Sequence, residues 1–75
     1  MDLKADCIAW DCQREFEDAM WAARAIDARE PDMRYLVGRF VQACASIAHR
    51  TAHTRNQVEE TIRYLVSIEN ERVAS

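Results

Sequence analysis

Glycine and proline are almost missing from this chain: its 75 residues hold one of each, Gly38 and Pro31. Hairpins and sheets need turn chemistry at short intervals, so the scarcity argues against a strand-rich fold and favours helices. Long apolar runs are missing too. The longest stretch without a charge, Phe40 to His49, is far short of the roughly 20 apolar residues that a membrane span needs. Lys4 is the only lysine. No P-loop, nucleophile elbow or Cys-x-x-Cys is present, which argues against those particular chemistries. The cysteines number three, an odd count, and no basic leader followed by an apolar run precedes them. Both features favour free thiols, a reducing compartment and a cytoplasmic location.

What is present is an apolar fraction of 49% with 31% charged residues, the balance of a folded chain and not of a disordered one. At this length a single core seldom supplies more than about 3–5 kcal/mol without staples, metal or oligomerisation, so self-association is expected from size alone. The net charge is −3 and unevenly spread. Residues 1–18 are acidic, the middle third collects arginines, and the C-terminal segment is acidic again.

The pattern predicts one all-α domain over residues 1–75, a small bundle of three helices over about 3–29, 32–51 and 55–72, assembled as a homodimer. Asp2 is a natural N-cap for the first helix, which no glycine or proline interrupts. Pro31 ends that helix and suits the first turn of the next, while Glu30 and Asp32 complement its dipole. Met33, Leu36, Val37, Phe40, Val41, Cys44, Ile47, Ala48 and Thr51 form an apolar arc on the second helix. Gly38 lies off that arc, where another backbone can approach. Thr54 with Gln57 and Asn56 with Glu59 are two overlapping capping boxes for the third helix. Its apolar face is Val58, Thr61, Ile62, Leu65, Val66 and Ile68. With no glycine or proline between the last two helices, a two-helix hairpin with one long second helix is the alternative.

On a continuous first helix, Ile8, Cys12, Phe16, Ala19, Met20, Ala23 and Ile26 make the core stripe. Trp10 and Trp21, eleven residues apart, return to within roughly 20° of one another on a different side, with Leu3, Cys7 and Ala25 on or near their line. Such a helix is about 40 Å long, longer than the roughly 30 Å diameter of a compact chain of this size, so part of it projects. The expected function is therefore a non-enzymatic interaction module, a regulator, adaptor or inhibitor that docks a helical face on a larger protein and on a second copy of itself. Leu3, Cys7, Trp10, Arg14 and Trp21 form the expected interface. No cofactor or membrane partner is expected.

Three other constellations carry weaker chemistry. Cys7 and Cys12 with His49 and His53 match a zinc ligand count, but on a straight helix the two cysteines stand about 140° apart and the histidines lie opposite the core arc of theirs. His49 and His53 alone, at i and i+4, suit a weakly held transition metal or a solvated helix end. Asp11, Glu15 and Asp18 share one side of the first helix, without a pocket to shift their acidity. The alternative function is a helical dimer that binds RNA or DNA through Arg24, Arg29, Arg34 and Arg39. Against it, the chain as a whole is acidic.

Overall fold

The computed structural model describes residues 2–74; Met1 and Ser75, the ends of the expected domain, lie outside the described residues. Four helices follow one another: α1 Leu3–Ala9, α2 Gln13–Asp27, α3 Met33–Arg50 and α4 Arg55–Ala74. No strand occurs among the described residues. The all-helical expectation stands, with four helices in place of three.

The difference arises at residues 10–12, where the expected first helix breaks. Asp11 takes a left-handed backbone conformation, φ 58°. The Cys12 N–H donates to the Cys7 carbonyl at 2.7 Å and the Asp11 N–H to the Ile8 carbonyl at 3.3 Å. Together these bonds make a Schellman motif. Such motifs usually place glycine at the left-handed position, and here an aspartate occupies it, so the sequence gives no stop signal. Arg50 of α3 steadies the turn by donating from Nη1 to the Asp11 carbonyl at 2.7 Å. The apolar contact that accompanies a Schellman motif is supplied by Cys7 and Cys12, both fully buried. Because the helical phase is reset at Asp11, residues 3–9 cannot be placed on one wheel with residues 13–27. Leu3 and Cys7 turn into the core, whereas Ile8, expected in the core stripe, is 54% exposed.

The same device ends α2. Arg29 sits at φ 56°; its N–H reaches the Ile26 carbonyl at 3.0 Å, and the Glu30 N–H reaches the Ala25 carbonyl at 3.2 Å. An arginine in this region is strained by roughly 1–2 kcal/mol. Arg29→Gly is therefore expected to raise stability by about 0.5–1 kcal/mol after the extra flexibility of glycine in the unfolded chain is subtracted. Asp11→Gly should gain less, since aspartate tolerates this conformation better. Urea unfolding of the two variants measures both.

The remaining ends follow sequence signals. The Asp2 carboxylate accepts the Ala5 N–H at 3.2 Å. The continuous hairpin helix is ruled out because Thr51, extended at φ −106° and ψ 170°, leaves the helical path, and its buried hydroxyl donates to the Ile47 carbonyl at 2.8 Å. Thr54 and Gln57 then close a reciprocal capping box, with bonds of 2.9 and 3.1 Å. The second box does not form, because Glu59 pairs with Arg55 at 3.3 Å.

α2 and α3 make the most extensive pairing, and α4 lies across both. One core joins all four helices: Leu3 and Cys7 from α1, Ala19, Met20, Ala22 and Ala23 from α2, Phe40, Cys44 and Ile47 from α3, and Val58, Ile62 and Val66 from α4. Four of the five buried residues of α2 are alanines, Ala19, Ala22, Ala23 and Ala25. The molecule measures 31 × 29 × 19 Å, so the break in the first helix removes the overhang expected of an unbroken one. No helix among the described residues is long and apolar enough to cross a membrane.

Candidate functional site

The two tryptophans are separated by the break. Trp10 caps the C-terminus of α1 and is 62% exposed, while Trp21 lies within α2 and is 49% exposed. Arg14, also exposed, precedes Trp21 by seven residues on α2 and so lies within about 20° of it. Leu3 and Cys7, expected beside the tryptophans, are instead buried in the core. The expected interface therefore divides into an exposed set, Trp10, Arg14 and Trp21, and a buried pair that holds α1 in place.

Beside Trp21 lies a feature that sequence reasoning missed. A groove of about 620 Å³ opens between α1, α2 and α4, with Leu3, Phe16, Met20, Leu65 and Ile68 among its lining residues. Glu17 and Arg24, one turn before and after Trp21 and therefore its neighbours on the helix surface, also line it. The indole thus stands on the shoulder of the groove. Arg24 reaches across to α4, where Nε and Nη2 donate to the two Glu69 carboxylate oxygens at 2.7 and 2.8 Å. This forked hydrogen bond raises the Arg24 pKa and lowers that of Glu69. Both side chains are about half exposed, so solvent screens the pair and it fixes geometry more than it stabilises the fold. A partnership 45 residues apart in the chain leaves no periodic trace in the sequence.

The arginines nominated for nucleic acid do not share one face. Arg24 is turned toward α4 by Glu69, whereas Arg39 of α3 lies 3.6 Å from Asp18, and Asp18 stands about 120° from Arg24 around α2. Arg29 occupies the left-handed turn after α2, and Arg34 lies in the first turn of α3. Of the expected carboxylate group, Asp18 pairs with Arg39, Glu15 lies 4.0 Å from Arg50, and the Asp11 backbone forms the turn.

The zinc constellation separates as well, although not as the straight-helix angles implied. Cys7 and Cys12 come together in the Schellman turn, both fully buried. His53 faces Asp6 instead, its Nε2 2.8 Å from Oδ2, and His49 is exposed. No group of three His, Cys, Asp or Glu side chains among the described residues is arranged to hold a metal ion.

Burial, followed by the hydrogen bond to Cys12 and the nearby acidic groups, pushes the Cys7 thiol up to about 12. Burial, followed by the Glu59 charge, does the same to Cys44. Thiols held in this way are poor nucleophiles near neutral pH. Cys7 and Cys44 should resist a thiol-specific aromatic disulfide at pH 8 in the folded protein and react promptly in denaturant. Unfolded thiols ionise near 8.5, so folding raises these two pKa values. Their contribution to stability is fully present below about pH 8.5 and is lost as pH rises toward 12. Alkaline unfolding monitored by helicity checks the sign.

Compared with protein-family models, with curated proteins and with solved structures, the chain matches none.

Proposed function

We propose that this chain is a non-enzymatic protein–protein interaction module, a small regulator, adaptor or inhibitor of a reducing, cytoplasmic compartment, that docks a helical face on a larger protein and also associates with itself. The docking face is the shoulder of α2, where Trp21 and Arg14 stand beside the groove between α1, α2 and α4. The observation that carries this reading is the position of Trp21: a 49% exposed indole flanked by two residues that line an open, largely apolar groove. Tryptophan and arginine are the side chains most often found to dominate binding energy when they are desolvated at the centre of an interface. An exposed apolar surface next to a concave one is a common mark of such a site.

The buried Cys7 and Cys44, with raised pKa values, are not poised for thiol chemistry, in keeping with a non-enzymatic role. The nucleic-acid alternative draws no support from Arg24 and Arg39, whose charges are engaged by Glu69 and Asp18.

The test is affinity capture from the cell of origin with the wild-type chain and with Trp21→Ser in parallel. A partner recovered by wild type and depleted at least tenfold by Trp21→Ser supports the docking face. Equal recovery by both contradicts it.

A further inference from the structure

We infer that the groove between α1, α2 and α4 receives the Trp21 indole of a second copy of this chain, the two copies exchanging their tryptophans reciprocally about a twofold axis. This rests on the docking reading above and assigns its self-associating partner. In a twofold interface the same patch serves both molecules, so that residue i meets j while j meets i. A patch can do this only if it carries both a projection and a matching recess. The shoulder of α2 has both: Trp21 projects, and one turn away in each direction Glu17 and Arg24 belong to the recess. The indole does not fill the groove of its own chain, for it lines no part of it and remains half exposed.

The floor suits an aromatic guest. Phe16, Leu65 and Ile68 are only partly covered and Met20 is nearly buried, so an entering ring would meet an aromatic edge, branched aliphatics and a polarizable thioether. The volume of about 620 Å³ is within the range of pockets that enclose ligands larger than one indole.

The rim selects a second copy over a strongly charged partner. Its bases, Lys4, Arg24 and Arg72, equal in number its acids, Asp2, Glu17 and Glu69. A rim of one sign would repel its own duplicate and favour a partner of opposite charge. Arg24 and Glu69 neutralise one another within each copy, so the rim presents little net charge to its duplicate, and Lys4 of one copy can approach Glu17 of the other across the axis. A standard interface takes about 800 Å² from each partner, roughly one-seventh of the 5377 Å² that the molecule exposes.

The experiment is light scattering over a wide concentration range on wild type, Trp21→Ser, Ile68→Arg and an equimolar mixture of the two variants. Trp21→Ser removes the projection and Ile68→Arg obstructs the recess. Wild type is expected at twice the 8.7 kDa chain mass and each variant alone at the single mass. The mixture should recover dimer, at least tenfold weaker than wild type, because one of the two exchanges is intact. A wild type that stays monomeric throughout, or variants that dimerise as wild type does, would overturn the inference. If Ile68→Arg fails to fold by circular dichroism, Trp10→Phe leaves Trp21 as the only tryptophan. Its emission must then shift to the blue as dimer forms; an unchanged spectrum on dimerisation places the interface elsewhere. A monomeric wild type whose captured partner is still lost with Trp21→Ser would sink the exchange and leave the docking face standing, while failure of both experiments removes both.

Discussion

Phe40→Ala is expected to cost about 3–5 kcal/mol of unfolding free energy, the largest loss of any single truncation in this chain. Phe40 is 1% exposed and projects from α3 into the shared core. A cleft of about 220 Å³ already adjoins it, lined also by Ala23, Ile26 and Val66. The short side chains of Ala23 and Val66 cannot extend into the space that a missing ring would leave, so little relaxation offsets the cavity. A chain of this length has a total stability of roughly 4–11 kcal/mol, so the variant should be mostly unfolded or lose at least about 15 °C in Tm. The Arg63 guanidinium, 5.4 Å from the ring centroid, is a smaller component. Arg63→Ala should cost less than about 1 kcal/mol at this exposed position. Urea unfolding at one fixed, dilute concentration measures both, and a Phe40→Ala loss below 1 kcal/mol would mean that the core is assembled differently.

Leu3→Ala is expected to cost about 2–3 kcal/mol and to act locally. α1 has seven residues, too few to hold a helix unaided. It persists because Leu3 and Cys7 are buried against the other helices. Truncating Leu3 should therefore release α1, with amide exchange at residues 4–9 accelerating strongly while α2 and α3 keep their protection. This outcome separates the core position of Leu3 from the interface position expected of it on a straight helix. A core loss is the same at every protein concentration, whereas an interface loss fades on dilution.

Asp11 is the residue that conceals a helix end, and Arg29 shares its backbone conformation. Both occupy left-handed positions that glycine would have advertised. Pro31 still revealed where α2 must stop, but nothing announced the stop after Ala9, and the faces assigned to residues before that point on a straight helix failed with it. Leu3, Cys7 and Ile8 changed places for this reason. Within uninterrupted helices the pattern held better. Leu36, Phe40, Cys44 and Ile47 of α3 and Val58, Ile62 and Val66 of α4 are buried, and the Thr54/Gln57 box sits where its spacing put it. Met33 and Val37 are more exposed than their arc implied, since they lie on the first turns of α3. The exposure of Trp21 and Arg14 was legible because both lie on one unbroken helix. The groove was not, because it depends on how far a seven-residue helix covers the space between α2 and α4, and on an ion pair between residues 24 and 69.

The docking account depends on the tryptophans standing outside the monomer core. Its most direct test is urea unfolding of the Trp10→Ser, Trp21→Ser double variant beside wild type, followed by circular dichroism at a concentration low enough for monomer. Full helicity is expected, with a loss of no more than about 1 kcal/mol, the range for exposed positions. An unfolded double variant, or a loss above about 3 kcal/mol of the kind that follows deletion of buried aromatic rings, would show that the indoles hold the monomer together and would contradict the account.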